Sequence, residues 1–482
     1  MKRRISSTLP AAMSAILLLS QPFGAKAQVV TNLHLFAAGA TNGDRPFAGL
    51  IQGSDGNFYG TTRFGGAQSV GTVFRMSADG DYTNLYSFGT SSAFDGWQPA
   101  GGLVQGSDGN LYGTTSMRGT NSCSCGVVFR IGPDGSGYAT IHHFAGGAND
   151  GSFPGGTLLQ GYDGNFYGTT VNGGAHGAGV VFRISPSGSY TNLYSFGSVP
   201  ADGSQPNGLL QGSDGNFYGT TLVGGSNGFG TVFRINPDGG NYSVLHRFAG
   251  GYYYGNDDGR LPYGTLVEGG DGNFYGTASE GGTNTCSCGV VFRINSGGSY
   301  KTLYSFHDYP DGSNPEAGLV LGSDGNFYGT TYSGGTNNVY AYGTLFRISP
   351  GGSHTTLYSF GPQNRGSYPQ SSLVQGSDGS FYGTTYESGT GQRGTVFKLL
   401  ANLPSPANQM NGLSVAGSNV VITVASVAGE TYQLQYTTDL ASGNWSNVPG
   451  ASVTSSIGGP LTVTNFGGAL SPVRYYRYAI TP

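Results

Sequence analysis

Five aspartates recur at one position in the chain, and their carboxylates could bind a metal ion. Each begins the pattern Asp-Gly-x-x-Pro, and they are Asp95, Asp150, Asp202, Asp258 and Asp311. Ca²⁺ prefers oxygen ligands, so a calcium site is one hypothesis. The alternative is structural, because aspartate also accepts hydrogen bonds from the backbone of its own turn. The five residues are spread along the chain, which favours the structural role, and we expect no cofactor other than Ca²⁺.

A second recurring position carries a cation. Its members are Arg75, Arg130, Arg183, Arg234, Arg293, Arg347 and Lys398. A ring of cations could bind an anionic ligand. The same side chains could instead pair with aspartates in neighbouring turns or donate to turn carbonyls. We favour the structural role, because a binding site rarely needs seven equal copies.

The four cysteines form two Cys-Ser-Cys sequences, Cys123/Cys125 and Cys286/Cys288. An exported protein meets oxidising conditions, which favour disulfides. The two sequences lie in repeats that are three copies apart, so we predict a disulfide within each pair. Zinc binding is a weaker alternative, since two thiolates make only half a site. A redox role is weaker still.

Aromatic residues are frequent in the loops between the repeated strands. We predict ligand binding by Trp97, Phe153, Tyr253, Tyr254, Tyr340 and Tyr386. A ring presents a flat apolar surface, and tyrosine and tryptophan add a polar edge. Sugars have matching apolar C–H faces and hydroxyl rims. The alternative is that these rings fold back and cover the scaffold, and both hypotheses stay open.

The sequence contains no catalytic motif that we recognise. His34, His142 and His246 occupy a position that holds tyrosine in other copies of the repeat, so we expect them to pack. No Gly-x-Ser-x-Gly, His-Glu-x-x-His or phosphate-binding pattern occurs. Paired carboxylates for glycoside hydrolysis cannot be singled out either. We therefore predict no catalytic residues and no enzymatic activity.

These residues are positioned by a repeat of about fifty residues. The segment Gly-Ser-Asp-Gly-Asn-Phe-Tyr-Gly-Thr-Thr recurs with small changes seven times. Its aspartates are Asp55, Asp108, Asp163, Asp214, Asp271, Asp324 and Asp378. Intervals of 51 to 57 residues are too long for solenoid coils and suit four-stranded propeller blades.

Each repeat contains four strand signals, which we label A to D from the propeller axis outward. In one copy they are 208–212, 216–221, 230–236 and 242–248. Asp-Gly turns are predicted between A and B and between C and D. These turns share one face, which we call the turn face. The B–C and D–A loops vary in length and share the other face, which we call the loop face. Function tends to reside on loops held by a rigid scaffold, so the loop face is the candidate binding face.

The array begins with a D strand, 30–36, and ends with a C strand, 394–400. Seven complete blades result only if the N-terminal strand completes the blade begun at Leu373. Such an exchange removes the unpaired edges of an open array. We therefore predict an all-β fold: a seven-bladed β-propeller over residues 28–400, closed by the N-terminal strand.

Both ends of the chain differ from the repeats. A basic start, a short apolar stretch and Ala25-Lys26-Ala27 are typical of a secretory signal peptide over residues 1–27. A linker is expected over 401–408. Short alternating runs over 409–482 predict a small β-sandwich. This segment resembles fibronectin type III or immunoglobulin-like modules of secreted bacterial proteins.

Charge restricts the partners. Of the 21 basic residues, four lie in the signal segment, so 17 basic and 25 acidic residues remain, a net charge of −8. This balance argues against nucleic acid, whose phosphates need lysine and arginine. We expect no membrane insertion after signal cleavage, because no later apolar run is long enough to span a bilayer.

The repeat resembles the bacterial GloVer tandem-repeat family. The resemblance rests on Gly-Ser-Asp-Gly-Asn-Phe-Tyr-Gly-Thr-Thr, followed by Gly-Gly and Gly-Thr-Val-Phe-Arg-Ile, and covers about residues 30–400. It implies export and a propeller-like array, with no catalytic residues to carry over. Members have variable C-terminal anchors, and this chain lacks an obvious one.

We therefore expect a secreted or cell-surface protein without enzymatic activity. Its loop face would recognise an extracellular glycan or protein. One alternative is a lyase or hydrolase, because the Asp-Gly-Asn-aromatic turn is similar to that of the virginiamycin B lyase propeller. A purely structural surface protein is the other alternative.

Overall fold

The computed structural model describes residues 29–37, 39–92, 94–121, 123–250, 258–284, 286–335, 342–361, 366–387 and 392–400 of the repeat array. In the C-terminal part it describes 410–416, 419–426, 431–437, 446–454, 459–465 and 475–481. The predicted signal peptide and linker therefore lie outside the described residues, as do Tyr253, Tyr254 and Tyr340. All regular structure within these ranges is β-strand.

The repeats form the seven predicted blades, numbered 1 to 7 along the chain. The A strands are Ile51–Gln52, Val104–Gln105, Leu159–Gln160, Gly203–Gln211, Val267–Glu268, Val320–Leu321 and Val374–Gln375. The B strands are Phe58–Thr62, Leu111–Thr115, Phe166–Gly173, Phe217–Gly224, Phe274–Ala278, Phe327–Thr331 and Phe381–Thr385. The C strands are Thr72–Met76, Val127–Ile131, Val180–Ile184, Thr231–Ile235, Val290–Ile294, Thr344–Ile348 and Thr395–Leu400. The D strands are Tyr82–Ser87, Ala139–His143, Tyr190–Ser195, Ser243–Arg247, Tyr300–Ser305 and His354–Ser359.

Each blade is an antiparallel sheet in the order A–B–C–D. The fourth strand of blade 7 is Val29–Leu35, which pairs with Thr395–Leu400 and places Val29 opposite Leu400. Blade 3 has an extra strand, Gly151–Pro154. A two-stranded ribbon joins Gly43–Asp44 to Phe64–Gly65 on the loop face of blade 1.

The hydrophobic core lies between adjacent blades. The first five residues of each B strand are buried, and in six blades the Tyr ring of this strand packs on a Phe ring of the next B strand, with Tyr112 and Phe166 4.0 Å apart. The same contact joins blade 7 to blade 1, where the Tyr382 and Phe58 rings are 3.9 Å apart. Between blades 1 and 2, Tyr59 shares a buried cluster with Leu111 instead.

A glycine in each B strand makes room for a ring of the same blade. A Cβ atom on Gly60 would lie 2.6 Å from Phe74 and 2.7 Å from Leu50. The equivalent glycines of the other six blades meet the equivalent phenylalanines at 2.5–2.6 Å. Because interiors are close-packed, any larger residue here would displace the ring.

The C-terminal strands form two three-stranded antiparallel sheets. One sheet contains Met410–Ala416, Asn419–Ser426 and Gly459–Asn465, and the other contains Ser446–Thr454, Thr431–Thr437 and Tyr475–Thr481. The chain divides into two compact units, one spanning Gln28–Leu403 and the other containing these sheets.

Candidate functional site

The loop face carries one unusual backbone position per blade, directly before a proline. Its seven residues, which we call the seat residues, have φ between 54° and 58°. They are Arg45, Gln98, Phe153, Gln205, Leu261, Asn314 and Tyr368. Left-handed backbone is uncommon for residues other than glycine and persists only where the surroundings enforce it.

Backbone hydrogen bonds hold each seat residue. Its N–H donates to a carbonyl of the preceding blade at 2.8–3.0 Å, as Tyr368 N does to Tyr342 O at 2.9 Å. In five blades its carbonyl accepts from the residue after strand B, as Tyr368 O does from Tyr386 N. Arg45 N donates to Arg393 O, so the pattern also joins blade 7 to blade 1. The backbone is thus the same in every blade, while the side chain changes.

A cavity of about 300 Å³ lies at the axis, and Gln205 is the one seat residue among those that line it. The starts of all seven A strands line it, mostly with glycine, alanine, serine and threonine. Larger side chains come from blades 1, 3, 4, 5, 6 and 7, and they are Phe47, Val171, Gln205, Asn207, Leu222, Tyr263, Glu316 and Gln370.

Glu316 is the one carboxylate among the described lining residues. Its side chain is half-buried, and burial raises its pKa, although a hydrogen bond from Gln370 Nε2 to Oε2 at 3.3 Å opposes the shift. Tyr263 is 42% exposed on the same wall. This wall can accept and donate hydrogen bonds to a ligand.

Blades 7 and 1 contribute interleaved rings and guanidinium groups, which we call the arginine–aromatic cluster. It comprises Arg45, Phe47, Arg63, Phe64 and Tyr386. The Arg45 guanidinium carbon lies 5.5 Å from the Tyr386 ring and 6.0 Å from the Phe64 ring. That of Arg63 lies 5.4 Å from Phe47 and 5.8 Å from Phe64. The Phe47 and Tyr386 rings meet edge to face at 6.3 Å.

A second group of rings lies beside this cluster. Tyr332 and Tyr368 stack with centroids 4.8 Å apart, and Tyr342 lies 6.0 Å from Tyr368. Burial, followed by the charge of Glu316, raises the pKa of Tyr332. The charge of Glu387 contributes in the same direction. Tyrosine hydroxyls and carboxylates therefore share this part of the face.

The predicted aromatic residues within the described ranges lie in different blades. Trp97 is half-buried, and the Arg118 guanidinium covers its ring at 3.9 Å. Phe153 is a seat residue, and Tyr386 belongs to the arginine–aromatic cluster. Arg45, Phe47, Arg63 and Tyr332 were not predicted from the sequence. The position before proline in Gly-x-x-Pro was the available signal for Arg45 and Tyr368.

The five aspartates of Asp-Gly-x-x-Pro organise the D–A loops. Asp202 accepts hydrogen bonds from Tyr194 Oη, Gly197 N and Gly203 N, each at 2.8 Å. Asp95 accepts from Tyr86 Oη at 2.6 Å and Gly89 N at 2.8 Å, and Asp258 from Ala249 N at 3.0 Å. Asp150 and Asp311 are paired with His142 and His307. Within the described residues, no three histidine, cysteine, aspartate or glutamate side chains converge in a way that could hold a metal ion.

The strand C cations lie at the turn face, next to the A–B turns. Lys398 Nζ contacts Asp378 at 2.8 Å. Arg234 stands opposite Tyr218 in the sheet. Burial opposes a lowered pKa of Asp214, but hydrogen bonds from Asn216 and Tyr218, together with the charge of Arg234, lower the pKa below its ordinary value. These positions place the cations away from the loop face.

The cysteines and histidines have local partners. Cys123 is bonded to Cys125, and Cys286 to Cys288, with the second cysteine of each pair buried. The rings of His34, His142 and His246 stack on Tyr82, Tyr190 and Tyr300 of the next blade at 3.9–4.2 Å. In the described ranges, no helix has the length and apolar character needed to cross a membrane.

Comparison with solved structures finds distant likenesses. The chain is similar to a GH74 xyloglucanase from Xanthomonas campestris, with 12% identity, coverage of 83% of this chain and 59% of that chain, and a TM-score of 0.48. It is similar to an oligogalacturonate lyase in complex with manganese, with 9% identity, 78% and 96% coverage, and a TM-score of 0.46. A third is described as the extracellular domain of a hybrid two component system from B. thetaiotaomicron, with 11% identity, 83% and 45% coverage, and a TM-score of 0.49. The chain thus spans about half the length of this last one. Likenesses at this level carry no argument about function.

No curated protein matches the chain. The profile of the Gloeobacter/Verrucomicrobia repeat matches three overlapping segments, residues 23–212, 92–256 and 205–436. Together these segments span all seven blades. The chain is a propeller repeat protein and belongs to the Gloeobacter/Verrucomicrobia repeat family.

Proposed function

We propose that this protein is an exported, non-enzymatic binding protein that recognises an extracellular carbohydrate through its loop face. One observation carries the proposal: seven equivalent backbone seats on the loop face hold six different types of side chain, and one of these residues, Gln205, lines the axial cavity. A scaffold that needed these side chains for its own stability would repeat them, as the turn face does. Variation on a fixed backbone is the property of a recognition surface.

Carbohydrate is the ligand class that suits the aromatic and polar side chains of the loop face. Tyr332, Tyr368 and Tyr386 present rings with polar edges, which match the apolar faces and hydroxyl rims of sugars. Glu316 and Gln370 supply hydrogen-bond acceptors and donors at the cavity wall. The cavity has the size of small-ligand sites, which begin at about 300 Å³.

The proposal includes three features of the architecture. The signal-like N-terminus supports secretion or display at the cell surface. The pairing of Val29–Leu35 with Thr395–Leu400 supports ring closure by the N-terminal strand. The two three-stranded C-terminal sheets support a β-sandwich of the fibronectin type III or immunoglobulin-like type.

A glycan array with the intact exported protein tests the proposal. Tyr368→Ala removes the central ring of the Tyr332–Tyr368–Tyr342 group and should abolish or strongly weaken binding. Tyr162→Ala is the matched control, because this tyrosine is 80% exposed in the A–B turn of blade 3, on the turn face. Equal loss in both variants, or no bound glycan at all, would refute carbohydrate recognition by the loop face.

A further inference from the structure

We propose that the arginine–aromatic cluster of blades 7 and 1 binds a carboxylate-bearing sugar, so that the ligand is an acidic, uronate-containing polysaccharide. This inference rests on the proposed function and specifies its ligand class. It also differs from the expectation from overall charge, which disfavours an ionic ligand. The inference rests on the local arrangement of two guanidinium groups, those of Arg45 and Arg63, and not on the net charge of the chain.

The two guanidinium groups of the cluster lie against aromatic rings and form no ion pair with a described carboxylate. Within the described ranges, no ion pair involves Arg45 or Arg63, and the Nε atom of each is buried without a hydrogen-bond partner. Both side chains are half-buried among Phe47, Phe64 and Tyr386. Such stacking leaves the guanidinium edges, with their paired N–H donors, free for a planar anion.

Other loop-face arginines show what a structural arginine looks like in this fold. Arg260 of blade 5 pairs with Glu280 at 2.7 Å. Arg393 of blade 7 pairs with Asp44, the residue next to Arg45. Asp44 is thus engaged, and Arg45 is left without it. Arg260 and Arg393 thus have carboxylate partners, whereas Arg45 and Arg63 lie together on the loop face with buried, unpartnered Nε atoms, and this pair is the anion-binding position that we propose.

The chemistry of the cluster selects a uronate. A guanidinium fork binds a carboxylate through two parallel N–H···O bonds, which are stronger than neutral hydrogen bonds. The interleaved rings of Phe47, Phe64 and Tyr386 offer apolar surface to the sugar ring that carries the carboxylate. A neutral glycan would use the rings and leave both cations unpaired. Nucleic acid would need many more cations than this acidic chain offers.

Polygalacturonate is a suitable probe, because the same backbone is obtainable with its carboxylates methyl-esterified. The test variant is Arg45→Gln combined with Arg63→Ser. Both replacement residues occur naturally at the equivalent positions of other blades. Gln98 and Gln205 are equivalent to Arg45, and Ser116 and Ser279 are equivalent to Arg63. The control is Arg247→Ser on an exposed D-strand arginine, whose counterpart in blade 1 is Ser87.

We expect the full chain to bind polygalacturonate in calorimetry, and the double variant to bind it at least about tenfold more weakly, since hydrogen bonds to charged groups carry this much affinity. The control should bind as the parent does, and all melting temperatures should agree. The affinity of the parent for polygalacturonate should also fall with added salt, and its affinity for the methyl ester should be weaker.

Equal binding of both polymers, or unchanged binding by the double variant, would overturn the uronate assignment while leaving carbohydrate recognition intact. Failure to bind any glycan would instead refute the proposed function itself.

Discussion

The turn face and the loop face of the propeller use repetition in opposite ways. On the turn face the side chains repeat: the strand A glutamine accepts a hydrogen bond from the A–B turn of the preceding blade. Gln105 Oε1 accepts from Ser54 N, and Gln52 Oε1 from Ser377 N, each at 2.8 Å. On the loop face the backbone repeats, with φ of 54–58° at every seat, while the side chains differ. Repeated side chains therefore mark where the ring is built, and varied side chains on a repeated backbone mark the surface that we propose for ligand binding.

The few departures on the turn face are informative. Glu268 replaces glutamine in blade 5 and accepts hydrogen bonds from Ser213 N and Oγ at 2.8 and 2.6 Å. Leu321 replaces it in blade 6 and has no amide to take part. Six of the seven blade junctions keep the bond, including the junction between blade 7 and blade 1. A ring tolerates one missing bond when six equivalents remain.

Val29–Leu35 pairs with the edge strand of blade 7, so removing this strand should have the largest effect on the propeller. Deleting residues 28–37 exposes the edge of Thr395–Leu400 and removes Phe36, which is 3% exposed in the cluster between blades 7 and 1. We expect the melting temperature to fall by roughly 10 °C or more, or aggregation through the free edge.

A chain ending at Leu403 is the control for this deletion, because it removes only residues of the other compact unit. Its propeller should melt as in the parent when followed by calorimetry. If the chain lacking 28–37 also melts like the parent, the N-terminal strand does not close the ring.

The next prediction concerns the turn face alone. Arg234→Ala removes a cation beside the Asp214 turn and Tyr218, where the Arg234 Nε atom is buried. We expect the free energy of unfolding to fall by about 1–3 kcal/mol, measured by denaturant titration, because charged partners lose a hydrogen-bonding neighbour. Glycan binding by the loop face should be unchanged. Loss of glycan binding with an unchanged free energy of unfolding would assign Arg234 to the binding site instead of the scaffold.

A third prediction uses a departure from the repeat near the turn face. Five blades have a tyrosine six residues before the phenylalanine that directly follows strand D. Blade 6 has His354 at this position, and its ring stacks on Tyr304 at 4.3 Å. Burial lowers the pKa of His354 to about 4 from its ordinary 6.5, so the unfolded chain binds this proton first as the pH falls. Its contribution to the free energy of unfolding is complete above pH 6.5 and decreases between pH 6.5 and 4.

His354→Tyr should therefore reduce the loss of stability between pH 7 and pH 5 by about 1–2 kcal/mol. Denaturant titrations of parent and variant at both pH values measure this difference. His176→Ala, at an exposed histidine, should leave the loss unchanged. A variant that loses as much stability on acidification as the parent would assign the acid sensitivity to other groups.

The sequence predicted the scaffold well because scaffold residues repeat. Asp55 and Tyr59 recur at fixed spacing, and in the structure Tyr59 Oη donates to Asp55 at 2.7 Å. The seven-bladed arrangement is confirmed. The loop face was harder for two physical reasons. A residue before proline is normally extended, so nothing in the sequence places Arg45 in left-handed backbone. The contacts of Arg45 with Tyr386 join blades that are more than 300 residues apart in the chain.

The Asp-Gly-x-x-Pro motif contains both a recurring position, the aspartate, and a variable position before the proline. Asp95 and Asp202 recur because they accept backbone hydrogen bonds within the D–A loops. The more variable position of the same motif, directly before proline, is the seat with left-handed backbone on the loop face. The recurrence of these aspartates therefore reflects a structural role, and the variable position beside them is the one that we propose for recognition.

The smallest predicted effect tests whether the seats are backbone-determined. Gln98 has φ of 55°, and its N–H and carbonyl are bonded to Val70 O and Ser116 N at 2.8 and 3.1 Å. Gln98→Gly removes the side chain, relieves the left-handed strain and adds freedom to the unfolded chain. The last two terms oppose each other, and each amounts to about 1 kcal/mol. We expect the free energy of unfolding to change by less than about 1 kcal/mol.

Gly56→Ala on the turn face, where φ is 83°, is the matched control, because an added Cβ introduces backbone strain and relieves none. It should destabilise by about 1 kcal/mol. If Gln98→Gly proves the more damaging substitution in denaturant titrations, the glutamine side chain holds the seat, and the division between a repeated backbone and freely varied side chains fails at this blade.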